Sequence, residues 1–211
     1  MDGFVGRTTD GTFAKIRAGA GETHDDSYGA GVTAMLIGAA TPNIYTEMYR
    51  AIYLFDTSNL GNGATIISAV LSLYPAGDKV GSLGKTDCVL TSSNPASNVD
   101  LVNGDYSNVG DTVFTRITYD NWSNSAYNDF VLDATGIANI TKTGISKFGT
   151  KFGWDIDNST VGLIWGSGRI LTFCTYKADN GGTTVDPKLV ITYTPLLGVN
   201  PAFGSHNAMI Y

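Results

Sequence analysis

The feature that most limits what this chain can fold into is a recurrence of short apolar, β-branched and aromatic runs, broken by clusters of glycine, asparagine, aspartate and serine. Runs of that length read as strands and the clusters between them as turns. Val32 to Gly38, Glu47 to Asp56 and Ile66 to Tyr74 are the clearest, the last closed by Pro75-Ala76-Gly77-Asp78. Further strands are expected at Cys88 to Thr91, Val113 to Tyr119, Asp129 to Leu132, Lys147 to Asp155, Arg169 to Lys177 and Lys188 to Tyr193. Phe13-Ala14-Lys15-Ile16-Arg17 alternates and reads as a first strand. The helical period is absent except at Thr135 to Ile140, where Ile137 and Ile140 share a face and Thr135 is available as N-cap. These signals predict an all-β chain: an antiparallel β-sandwich of jelly-roll type with at most one short helix. The expected organisation is a single sandwich domain over residues 1–195 and an apolar C-terminal arm over 196–211, carrying Leu196, Leu197, Val199, Phe203, Met209, Ile210 and Tyr211.

Composition narrows the function classes. Charged residues are 15% of the 211, against roughly 25% in ordinary soluble domains, while glycine reaches 26. The surface is therefore polar but sparsely charged, which suits β-structure that meets other surfaces and does not suit a helical enzyme. A net charge of −6 leaves little to gain from displacing counterions on phosphates, so no nucleic-acid partner is expected. No apolar run approaches the roughly 20 residues of a spanning helix, so no membrane span is expected. The opening Met1-Asp2-Gly3-Phe4-Val5-Gly6 lacks the basic-then-apolar pattern of a signal peptide. Cys88 and Cys174 show no metal or redox spacing and read as ordinary buried thiols, with an inter-strand disulfide as the alternative.

Tyr49-Arg50-Ala51-Ile52-Tyr53-Leu54-Phe55-Asp56, followed by Thr65-Ile66-Ile67-Ser68-Ala69-Val70-Leu71-Ser72-Leu73-Tyr74, resembles the core hairpin of the DNRLRE family, which is related to carbohydrate-binding modules. Phe130-Val131-Leu132-Asp133-Ala134 and Asp186-Pro187-Lys188-Leu189-Val190-Ile191-Thr192-Tyr193 follow in the family's order, so the resemblance covers roughly residues 12 to 194. It implies a β-jelly roll of the kind found in secreted polysaccharide-active proteins, cell-surface proteins and phage structural proteins. It implies no shared catalytic residues.

Catalytic constellations fail on inspection. Only His24 and His206 could act as imidazole bases. Gly166-Ser167-Gly168 has Trp165 where a nucleophile elbow needs glycine, and Gly81 to Thr86 has Lys79 where a phosphate loop needs its first. Glu22, Asp25 and Asp26, and again Asp155 and Asp157, are clusters that could hold Ca²⁺, the alternative being solvated turns; no cofactor is required. Trp122 and Tyr127, with Asn121 beside them in a polar loop, are the candidates for stacking on a sugar, whereas Trp154 belongs with Phe152 in the core. Arg50 inside an apolar strand demands a carboxylate or carbonyls, which Asp56 or another acid could supply.

The function expected is non-enzymatic: a virion structural protein of decoration, tail or spike type, exposed on the virion surface and binding neighbouring capsid or tail subunits and its own copies. The alternative is a carbohydrate-binding adhesin or module of an extracellular or cell-surface protein.

Overall fold

A computed structural model describes residues 1–27, 30–178, 181–195 and 207–210. Its strands are β1 (Asp2–Arg7), β2 (Gly11–Thr12), β3 (Thr23–Asp25), β4 (Ala30–Gly38), β5 (Ile44–Asp56), β6 (Thr65–Leu73) and β7 (Val80–Gly81). These are followed by β8 (Cys88–Ser93), β9 (Val109–Ile117), β10 (Asn128–Val131), β11 (Ile145–Phe152), β12 (Ile170–Tyr176), β13 (Lys188–Thr194) and β14 (Asn207–Ile210). Three helices of about one turn intervene, α1 (Phe13–Arg17), α2 (Ala134–Ala138) and α3 (Gly153–Asp157), with 3-10 turns at Ser58–Leu60 and Asn103–Asn108. Among the described residues no helix is long and apolar enough to cross a membrane.

The fold is an antiparallel all-β sandwich. Ten strands make a curled sheet whose main path runs β7-β12-β4-β5-β11-β8-β9, and four make a second sheet in the order β10-β6-β13-β14. Strand β5 organises the larger sheet: Arg50 pairs with both Val5 and Ala34, and Tyr53 with both Asp2 and Phe148. Hence β1 runs along one edge of β5 while β4 and β11 share the other. The core between the sheets takes Leu71, Leu73, Phe130, Leu189 and Ile191 from the small sheet and Leu90, Phe148 and Phe173 from the large one, all fully buried.

Several expectations need correction. Residues Phe13–Arg17 form a helix, not a strand. Thr12 caps it by accepting from the Lys15 amide, and helical spacing buries Phe13 and Ile16 together where alternation would have separated them. The expected helix near 135–140 runs over Ala134–Ala138 and is capped by Asp133, whose carboxylate accepts from the Gly136 amide. The strand predicted to reach Asp155 stops at Phe152, where α3 begins. The stretches around Arg50–Asp56 and Thr65–Tyr74 do not form a hairpin. The turn at Ser58–Leu60 and Gly61, whose φ is 76°, carries the chain from the large sheet to the small one, so β5 and β6 lie in different layers.

One polar cluster holds the short helices in place. Arg50, 4% exposed, donates from Nε to Asp155 Oδ2 at 2.7 Å and from Nη2 to Asp155 Oδ1 at 2.9 Å. Nη1 donates to the Tyr106 carbonyl (2.7 Å) and Nη2 also to the Arg17 carbonyl (3.1 Å), and the guanidinium lies 4.0 Å from the Tyr106 ring centre. Tyr106 in turn donates to the Ile16 carbonyl at 2.8 Å. The partner of Arg50 is therefore Asp155, with Asp56 exposed at the end of β5. Helices of five residues are unstable alone. This cluster ties α1, α3 and the turn at Asn103–Asn108 to β5.

Candidate assembly surface

The residues singled out for metal binding are each engaged by protein donors. Glu22 accepts from the Thr8 and Thr9 amides at 2.8 and 2.7 Å and from Arg7 at 3.1 Å. Asp25 accepts from Ser27 and Lys177, and Asp26 from the Leu101 amide. Asp155 holds Arg50, and Asp157 takes a two-point contact from Arg116. No three His, Cys, Asp or Glu side chains among the described residues converge as a metal-ligand set. The carboxylates of the two clusters thus cross-link segments through protein donors.

Glu22 carries a pH prediction. The hydrogen bond donated by the Thr8 amide above all, then those from Thr9 and the Arg7 charge, outweigh burial and hold its carboxyl down at about 2. A folded pKa below the unfolded one stabilises above about pH 4.5, and that contribution is lost as pH falls toward 2. Glu22→Gln is expected to lose about 1 kcal/mol or less at neutral pH, because the site is partly exposed, and nothing below pH 2. Urea unfolding at a series of pH values checks this.

The proposed sugar-stacking loop also takes a different form. Trp122 is 2% exposed and wedged between the sheets, 6.3 Å from Phe130 of β10 and 4.9 Å from Phe173 of β12. Its ring offers no face to a ligand, and its buried Nε1–H has no acceptor among the described residues. Asn121 is exposed, and Tyr127 is half-buried with its hydroxyl donating to the Thr184 and Asp186 carbonyls at 2.9 and 3.1 Å. The three do not form a platform. Trp154 is buried as expected, donating to the Val161 carbonyl. Cys88 and Cys174 are free thiols, so the disulfide alternative is excluded, and burial pushes the Cys88 thiol up.

Tyr127 instead steadies the wall of a cavity of about 600 Å³ between Met1, Asp2, the end of β5 and the segment from Thr183 to Lys188. Its apolar lining includes Leu54, Phe55 and Pro187, with Asp2, Asp56 and Asp186 around it. That volume lies in the range of ligand sites.

The surface the sequence does not reveal is the outer face of the small sheet. Side chains alternate across a strand, so the inward Phe130, Leu71 and Leu189 leave Val131, Val70 and Val190 pointing outward. Register places those three in one row, Val131 opposite Val70 and Val70 opposite Val190, with Ile210 of β14 in the next register position. Val131 is 61% exposed and Ile67, near the bulge in β6, 47%. The neighbouring row is Asp129, Ser72 and Lys188. Beyond it Tyr74 and Tyr127 meet edge to face at 5.1 Å. An apolar stripe bordered by polar rows and aromatic rings is what an interaction surface presents.

Of the residues assigned to a C-terminal arm, Met209 and Ile210 lie on β14, which pairs with β13 through Ile191 and Val190. Leu196, Leu197, Phe203 and Tyr211 fall outside the described residues.

No protein-family model and no curated protein matches this chain. The fold and this surface define a class, an antiparallel β-sandwich that turns an apolar row outward on its smaller sheet.

Proposed function

We propose that the chain is a non-enzymatic structural protein, a virion component of decoration, tail or spike type that binds neighbouring capsid or tail subunits and its own copies. The observation that carries this reading is the outward-facing Val131–Val70–Val190 row beside Tyr74 and Tyr127, with Val131 exposed and Val70 and Val190 half-buried, on a sheet whose other side is fully packed. The resemblance to the DNRLRE jelly rolls and the sparse charge support it. The titratable groups fit the same reading, since Glu22, Asp155 and Asp157 cross-link segments and His24 bonds to Asn103 rather than facing a nucleophile. Fractionating the native source on a density gradient tests the reading. The chain is expected to travel in fixed stoichiometry with DNA-containing particles, and peptides found only in soluble or cell-surface fractions would overturn it.

A second reading, a carbohydrate-binding module or adhesin, is favoured by one observation. The cavity beside the Thr183 to Lys188 segment combines an apolar wall with the carboxylates of Asp2, Asp56 and Asp186, which suit the C–H face and hydroxyls of a sugar. Calorimetric titration with neutral and acidic oligosaccharides should then give binding that Asp186→Asn weakens about tenfold, roughly the worth of a hydrogen bond to a charged group. An inert wild type rules this reading out.

A further inference from the structure

The charge pattern on the small sheet's outer face points to its occupant. We propose that a second copy of this chain docks there, face to face, about a two-fold axis running close to β6. The inference rests on the structural reading above and adds the face by which copies of this chain meet and the geometry of the contact.

Strands β10 and β13 flank β6 on either side, one strand spacing away. A two-fold axis along β6 exchanges the two flanks and keeps every position along the strands. Val131 of one copy then faces Val190 of the other, and Val70 faces Val70. In the adjoining row Asp129 of one copy faces Lys188 of the other, and the pair occurs twice. A two-fold axis across the strands through that row would instead set Asp129 against Asp129 and Lys188 against Lys188. Electrostatics therefore selects the first axis over the second.

Both charges are placed for this. Asp129 is exposed, and the Lys188 ammonium lies 4.1 Å from the centre of the Tyr127 ring, two residues before Asp129 on the same face. The three strands, at their usual spacing and rise, offer roughly 400 Å² per copy. That is about half of what a stable dimer buries on each partner, so the contact is weak in dilute solution and suited to an assembly that repeats it.

Sedimentation analysis of the full chain, from micromolar to near-millimolar concentration, tests the proposal. The wild type is expected to pass reversibly from monomer to dimer. D129K and K188D should each weaken association at least about tenfold, by setting like charges opposite one another, and the double variant D129K/K188D should recover to within about threefold of wild type. Because Val70 lies on the axis, Val70→Cys should yield an oxidised dimer that the wild type, with only Cys88 and Cys174, does not form. A wild type that stays monomeric throughout, a double variant as weak as the two changes combined, or no cross-link through Val70→Cys overturns the dimer. The gradient experiment reads out separately: a chain that is monomeric yet travels with particles loses only this dimer, and a dimer found away from particles loses only the virion reading.

Discussion

Replacing Asp155 by asparagine is expected to remove about 3–5 kcal/mol of folding stability, measured as a lower urea midpoint at unchanged slope. Asparagine keeps the size of the side chain and one carbonyl acceptor. It leaves Arg50, buried in the middle of β5, without its countercharge, and a buried guanidinium facing only neutral carbonyls carries an uncompensated desolvation penalty. Arg50→Lys should fall in the same range, because an ammonium cannot reproduce the two-point contact with Asp155 together with both carbonyls. A loss under about 1 kcal/mol for Asp155→Asn would mean that the cluster is incidental to the fold. Arg17 strengthens the case for a unit: its Nε sits 2.6 Å from the Asp155 carbonyl and 3.1 Å from Oδ1, so α1 is fastened to α3 directly as well as through Arg50.

Trp122→Ala should be comparably damaging, at about 3–5 kcal/mol, because it empties a space between the two sheets that Phe130 and Phe173 cannot collapse to fill. Trp122→Phe is expected to cost less than half as much, since it keeps most of the packing and removes a buried indole N–H that has no acceptor among the described residues. The pair separates two accounts of this residue. On the structural account both effects appear in unfolding curves and neither variant changes any oligosaccharide binding that survives folding. An exposed stacking residue would show the reverse, with stability intact and binding lost.

Strand positions are legible in the sequence because a pleated strand leaves a period-two signature that needs no knowledge of its neighbours. Lys188 to Tyr193 and Glu47 to Asp56 are found within a few residues for that reason. The one-turn helices are not legible. Five residues such as Phe13 to Arg17 fit both periods, and what decides between them is the cap from Thr12 and the common burial of Phe13 and Ile16. Arg50 is recognisable as a buried charge in need of an acid, yet its partner lies 105 residues away and is fixed only by the packing of α3. Trp122 is misread for a related reason: Asn121, Ser123 and Asn124 around it are polar, and their exposure says nothing about the ring. The outer stripe is the least legible feature, because Val70, Val131 and Val190 become neighbours only through the register of three strands from distant parts of the chain.

The measurement that bears most directly on the outer face as the working surface is the binding of purified protein to particles from the native source, comparing the wild type with Val131→Asp. Val131 is already 61% exposed, so aspartate there should leave the unfolding midpoint nearly unchanged while placing a charge in the apolar row. The account predicts that the wild type sediments with the particles and the folded variant stays behind. A folded Val131→Asp protein that sediments in the same stoichiometry as the wild type would contradict it.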